Sequence, residues 1–356
     1  MDRHIKALEI LKAGTVIPAT PLALNKDKSI SVPGMKLLMQ YYLNCGVGGI
    51  ATAVHTTQFE IRDPEFNLYE QVLTLVSSEI DKYEAKTGKV IVKVAGVCGK
   101  TEQAVSEAKL AKSLGFDAVL LSPGGLNDMS EDYMVERTKA VAEVMPVIGF
   151  YLQTAVGGRV FSYDYWARVC EVSNVVAIKC ASFNRYTTED VVRAAALSTR
   201  CDDITLYTGN DDNIVIDLLT RYSFLKDGVA VEKDFKGGLL GHWSVWTKKA
   251  VEIYEKAMAA KYNECVPASL LTLAAEVTDT NSAFFDTAHS FKGSIAGLHE
   301  ILHRQGLMEN TLCLSERECL SEGQLEQLDR VQAAYPHLND DDFIKANIAE
   351  WKKNIV

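Results

Sequence analysis

From Gly14 to about Val245 the chain repeats one unit: a short β-branched, apolar run, a polar or glycine-bearing loop, then a longer stretch with helical spacing. Eight runs can be read: TVIPA (15–19), GIATAV (49–54), VIVKVAGV (90–97), AVLLSP (118–123), VIGFYL (147–152), VVAIKCAS (175–182), ITLYTG (204–209) and GLLGHWSV (238–245). They are near-continuously apolar rather than alternating, which marks strands buried on both faces. Between them lie amphipathic segments such as TEQAVSEAKLAKSLG, where Ala104, Ala108 and Ala111 share a face and Gly115 supplies a stop. Strands alternating with helices specify parallel βαβ units. Eight of them favour an α/β fold closed into a (β/α)8 TIM barrel over an open doubly wound sheet.

Residues 1–14 read as an N-terminal helix, 15–260 as the barrel and 261–356 as a helical C-terminal extension. WTKKAVEIYEKAMAAKY, VPASLLTLAAEVTDT, FFDTAHSFKGSIAGLHEILHRQG, SEGQLEQLDRVQAAY and the DDDFIKANIAEWKK tail all carry helical patterning, and no strand is expected after Trp246. A length of 356 residues accommodates such a barrel with additions.

Composition excludes several classes. With 47% apolar and 24% charged residues the chain reads as soluble and globular, and no run approaches the roughly 18 to 20 apolar residues of a membrane span. The opening MDRHIKALEILKAG has no apolar core of a secretion signal, so a cytoplasmic protein is expected. A formal charge of −10 without a basic block argues against a nucleic-acid partner. The eight cysteines form no CxxC pair, and no His, Asp and Glu cluster falls at the strand ends, so no metal is expected.

In a barrel of this kind chemistry gathers at the carboxyl ends of the strands. Those positions read Thr20, His55-Thr56-Thr57-Gln58, Tyr151 and Gln153, Lys179, Gly209-Asn210-Asp211, and His242-Trp243. Lys179 stands out, because an ammonium in a buried strand costs several kcal/mol unless it is paired or loses its proton. A desolvated, partly neutral lysine is a nucleophile for ketones. Lys93, in VIVKVAGV, is a second strand lysine with no partner evident in the sequence. Cys180 reads as packing.

These residues resemble the dihydrodipicolinate synthase/N-acetylneuraminate lyase superfamily of Schiff-base aldolases, roughly from Gly14 to Gly306. His55-Thr56-Thr57-Gln58-Phe59-Glu60 is similar to that family's Gly-Thr-Thr-Gly-Glu motif with one insertion. Tyr151 matches the tyrosine of its Tyr-Asn-x-Pro motif, Ala177-Ile178-Lys179 its Ile-Lys strand, and Gly209-Asn210-Asp211 its Gly-Asp-Asp. The resemblance implies an imine between Lys179 and a 2-oxo acid such as pyruvate, with no cofactor or metal. It further implies carboxylate binding at Thr56 and Thr57, proton relay by Tyr151, Trp243 packed over the imine, and a homo-oligomeric dimer or tetramer. Asp211 and Asp212 read either as part of that match or as caps of the next helix.

The departures narrow the reaction. Val156 stands where the lysine-biosynthetic synthase has an arginine that clamps the carboxylate of its aldehyde substrate, and Gly124-Gly125 replace its paired tyrosines. Arg159 reads as a substitute for that charge or as a surface ion pair. Gln58 and His55 replace motif glycines, Gln58 filling space or touching a second substrate and His55 serving in proton transfer or as a structural histidine. The expectation is therefore a lyase, aldolase or dehydratase, acting on pyruvate or a longer 2-oxo acid, with an aldehyde as the further substrate in the additive direction. Synthesis of 4-hydroxy-tetrahydrodipicolinate is disfavoured. The rival reading is a non-catalytic 2-oxo-acid-binding or regulatory protein on the same scaffold.

Overall fold

The computed structural model describes residues 2–355. Nine strands are present among the described residues: β1 (Val16–Pro18), β2 (Gly49–Thr52), β3 (Val92–Val97), β4 (Ala118–Leu121), β5 (Val147–Leu152), β6 (Val175–Ala181), β7 (Thr205–Thr208), β8 (Arg221–Lys226) and β9 (Val229–Leu240). Eight run parallel in the order β1-β9-β7-β6-β5-β4-β3-β2, and a bridge between Ala19 and Ala51 joins the ends into a barrel. Helices alternate with the strands, as the two-sided burial of their residues requires.

Two apolar layers follow from the pleat. Inside lie Ile17, Ala51, Val92, Val94, Ala118, Leu120, Ile148, Phe150, Leu152, Ala177, Tyr207 and Leu239, while Ala95, Val97, Val147, Tyr151, Ile178 and Cys180 face the surrounding helices. The helix Arg3–Ala13 plugs the amino-terminal end of the barrel, where the Leu11 carbonyl accepts from the Tyr207 hydroxyl (2.7 Å) and Ala7 and Leu11 join the inner layer.

Three expectations need correction. The eighth barrel strand is the end of a longer β9, whose first half pairs antiparallel with β8 in an unexpected hairpin. Its turn is Asp227-Gly228, with φ of 51° and 79°, a two-residue loop that suits the strand twist. The run GLLGHWSV is not all strand: β9 stops at Leu240 and His242–Ser244 form a 3-10 turn. The run FFDTAHSFKGSIAGLHEILHRQG is not one helix. The helix Ala268–Phe284 ends on its first residue, and the next, Ser294–Arg304, begins after a loop in which Asp286, Ser290 and Phe291 all have positive φ. That loop folds over the carboxyl end of the barrel.

Candidate active site

The barrel mouth holds a cavity of about 60 Å³, room for a few water molecules, lined among others by His55, Thr56, Phe150, Val156, Lys179, Gly209, Asp211 and Ser294. The C-terminal extension roofs it with Phe285, Phe291 and Ser294, and Phe183 stacks edge-on against Phe291 at 5.7 Å. Through His55, Val156 and Phe291 it meets an outer chamber of about 670 Å³, walled by Glu60, Lys292, Glu316, Arg317 and Glu318.

Lys179 is the one amine among the cavity-lining residues. It sits on the inward face of β6 beside Gly209, where a Cβ would stand 2.6 Å from Lys179 Cε; a glycine is required for the lysine stem to pass. Its ammonium lies 4.4 Å from the Phe150 ring centroid, with no hydrogen bond or ion pair among the described residues. Burial drives its pKa from 10.5 down to about 8, partly opposed by the charge of Asp211. At pH 7 roughly one amine in ten is then neutral, against about three in ten thousand at the ordinary value.

Of the two readings open for Asp211, part of the strand 7 motif or a helix cap, the structure does not support the cap. The next helix, Ile214–Leu219, has Asn213 at its N-cap, and Asp211 instead turns into the cavity. Its Oδ1 accepts from the His242 N–H (3.0 Å), and burial raises its pKa to about 7 against the opposing pull of that bond and Lys179. The loop is fixed from beneath. Asn210 donates to Asp217 (2.9 Å) and Thr188 (3.3 Å) and accepts from the Phe183 N–H (3.0 Å), while Asp217 pairs with Arg185 (2.5 Å).

The other expected site residues separate. Thr56 lines the cavity, but the Thr57 hydroxyl donates to the Thr20 carbonyl (2.7 Å) and its N–H to Val54 (3.0 Å), so it has no free donor. Gln58, at φ 72°, accepts the Leu314 N–H on Oε1 (2.6 Å) and thereby ties the strand 2 loop to the C-terminal extension. His55 does line the cavity, where burial and the Lys179 charge hold its imidazole neutral, down to about 4. Trp243 is buried behind β9, edge-on to Tyr254 at 6.3 Å, and is not among the cavity-lining residues. Arg159 donates to the Met129 carbonyl and lies over Phe161, away from the cavity.

Tyr151 is the largest departure. It points outward from β5, stacked on Trp166 at 5.4 Å, with its hydroxyl accepting the Phe161 N–H (3.3 Å). The residue paired with Lys179 across the β5–β6 ladder is Phe150. Alternation along VIGFYL, with Ile148 and Leu152 inward, was the signal that separates the two aromatics. Ser294 was not anticipated at all: it is 4% exposed, the residue belongs to the cavity lining, and its hydroxyl is buried without a hydrogen-bond partner among the described residues. Among the described residues no group of three or more His, Cys, Asp or Glu side chains is placed to hold a metal. No described helix is long and apolar enough to cross a membrane.

Comparison with known proteins converges on one family. Residues 12–221 match the profile of the dihydrodipicolinate synthetase family. The 4-hydroxy-tetrahydrodipicolinate synthase of Clostridium novyi (strain NT) is 26% identical over 212 residues, 58% of this chain and 65% of that protein. The chain thus spans just under two thirds of that relative's length. Among solved structures, the chloride-inhibited dihydrodipicolinate synthase from Acinetobacter baumannii complexed with pyruvate superimposes with a TM-score of 0.70 at 20% identity, over 90% of this chain and 98% of that one. N-acetylneuraminate lyase from Fusobacterium nucleatum superimposes with a TM-score of 0.69 at 15% identity, over 91% and 99%. At these identities the two superpositions speak to the fold.

Proposed function

Because the chain belongs to the dihydrodipicolinate synthetase family, we propose that it is a Schiff-base-forming lyase, an aldolase or dehydratase, that binds pyruvate or a longer 2-oxo acid as an imine on Lys179. The observation that carries this reading is Lys179 itself: an inward amine, desolvated and without an ion-pair partner, in a cavity that Thr56 and Ser294 also line. Their hydroxyls are the donors assigned to the substrate carboxylate and keto oxygen. The outer chamber takes the rest of a longer substrate or an aldehyde. Val156 lines both spaces and brings no charge of its own, so the charges that a second substrate meets are those of the outer chamber, Lys292 and Arg317 against Glu60, Glu316 and Glu318. Synthesis of 4-hydroxy-tetrahydrodipicolinate, the activity of the Clostridium relative, is not the proposed reaction. No cofactor is invoked, and a homo-oligomer, dimer or tetramer, is proposed; its mass by light scattering tests that part.

The test is reduction with sodium borohydride in the presence of pyruvate, 2-oxobutanoate or a 2-keto-3-deoxy sugar acid, followed by peptide mass spectrometry. A stable adduct on Lys179 is expected. No adduct with any of these acids overturns the proposal. A second reading, 2-oxo-acid binding without turnover, draws support from the outward placement of Tyr151; it predicts an adduct or reversible binding but no release of a cleaved or dehydrated product.

A further inference from the structure

We infer that Asp211 is the proton-transfer group for imine formation on Lys179, in a barrel whose ladder position opposite the amine is phenylalanine. This rests on the imine chemistry proposed above. The carrying observation is geometric: Phe150 faces Lys179, Tyr151 is turned out of the barrel, and Asp211 is the carboxylate that lines the same cavity.

The loop that presents Asp211 is built to hold it there. Asn210, the residue before it, is anchored by three side-chain hydrogen bonds, to Phe183, Thr188 and Asp217; the Asn281 amide donates to the Asp211 carbonyl (2.6 Å), and the His242 N–H donates to one carboxylate oxygen. The second oxygen has no hydrogen-bond partner among the described residues and is free for substrate. Titratable and charged groups reach this carboxylate from four places. Lys179 faces it from β6, His55 from the turn after β2, His242 from the turn after β9, and Asp212 follows it in the loop; the helix Ala268–Phe284 contributes only the Asn281 amide. Burial holds both histidines neutral, down to about 4, so neither is a donor near neutrality. Asp211, raised to about 7 by burial, holds a proton on roughly half of the molecules at that pH.

The step balances as follows. Neutral Lys179 Nζ attacks the keto carbon, the carbonyl π pair moves to oxygen, and the Asp211 carboxylic acid protonates it. The resulting carboxylate removes a proton from the ammonium to leave a neutral carbinolamine. Asp211 then protonates the hydroxyl, the C–O bond breaks, water leaves, and the nitrogen lone pair completes the iminium. Amine, ketone and carboxylic acid have become iminium, carboxylate and water.

The experiment measures the rate of adduct formation with pyruvate and sodium cyanoborohydride, as a function of pH, for the unaltered chain, Asp211→Asn, Phe150→Tyr and the double variant. Asn keeps an oxygen for the His242 N–H, so a folded protein is expected, checked by thermal melting. The unaltered chain should give a bell-shaped profile peaking between about 7 and 8, the values to which Asp211 and Lys179 are shifted. Asp211→Asn should slow the reaction about 100- to 10,000-fold and convert the bell to a simple rise with the amine, and adding Phe150→Tyr should restore at least about tenfold. An Asp211→Asn protein that reacts at the unaltered rate with the bell intact overturns the assignment. Phe150→Tyr alone does not depend on that variant's folding: the new phenol should flatten the falling limb, and an unchanged limb counts against Asp211. Absence of any adduct on the unaltered chain defeats the imine reading instead, an outcome distinct from adducts that form equally with and without Asp211.

Discussion

Lys93 and Lys179 occupy nearly the same sequence context, one in VIVKVAGV and the other in VVAIKCAS, and both are buried, 2% and 8% exposed. Their environments are opposite. Lys93 points out of β3 toward the helix Tyr69–Thr87, where Asp81 (2.5 Å) and the Ser77 hydroxyl (2.9 Å) receive its ammonium. Lys179 points into the barrel, over Phe150, with no such partner. One buried lysine has its charge satisfied by hydrogen-bonding partners and the other does not, which is why the proposed imine is assigned to Lys179. What separates them is which side of a strand each occupies, a difference that a shift of one residue would reverse.

The largest effect that tests this contrast is chemical. Lys179→Ala is expected to abolish the borohydride-trapped adduct, at least about 10,000-fold below the unaltered chain, while Lys93→Met leaves adduct formation within about threefold. If trapping persists in the first or fails in a folded second, the roles given to the two lysines are wrong. Gly209→Ala comes next. Its methyl must displace the Lys179 stem at 2.6 Å, and adduct formation should slow about 10- to 100-fold with little change in fold, as read by circular dichroism.

Stability should divide the lysines in the other direction. Lys93→Met leaves Ser77 and a half-exposed Asp81 that can turn to water, so unfolding by guanidinium should show a loss of about 1–3 kcal/mol, short of the penalty for a fully buried broken pair. Lys179→Met should stabilise, by up to about 3 kcal/mol at pH 7, because it removes a charge held where desolvation opposes it. The sign of the pH dependence follows. With its pKa lowered to about 8 from 10.5, the folded state binds fewer protons than the unfolded one across that window, so the unaltered chain gains stability as pH rises through it. The advantage of Lys179→Met should therefore be full below about pH 8 and vanish above about 10.5. A constant difference between pH 7 and 10.5 would show that the amine is not desolvated. The smallest expected effect is that of Gln58→Ala, which removes the bond to the Leu314 N–H and should cost about 1–2 kcal/mol.

The barrel was legible because its signal is repeated: eight apolar runs, each closed by a polar loop, leave few alternatives. The hairpin has its own signal, the Asp-Gly turn between the alternating segments of RYSFLK-DG-VAVEKDF, but it interrupts the strand–helix repeat that otherwise runs through the barrel. Lys179 and Gly209 were legible from polarity at strand ends. Tyr151 was misplaced because a motif match assigns a letter, and only the pleat assigns a face; Phe150 and Tyr151 are neighbours pointing to opposite sides. Asp211 stayed open between motif residue and helix cap because the chain does not show that the following helix begins at Ile214 with Asn213 as its N-cap. Phe285, Phe291 and Ser294 reach the site from more than a hundred residues beyond Lys179, a contact with no local signature.

That distance has a meaning for how the protein is made. The barrel strands leave the ribosome before the loop that covers their mouth, since β9 ends at Leu240 and the roof begins at Phe285. Phe285, Phe291 and Ser294 close over the cavity that holds Lys179, so the share of its desolvation that they contribute is complete only once that loop is in place. The chemistry proposed for Lys179 therefore depends on two parts of the chain made at different times: the strand that carries the amine and the loop that completes its dry surroundings.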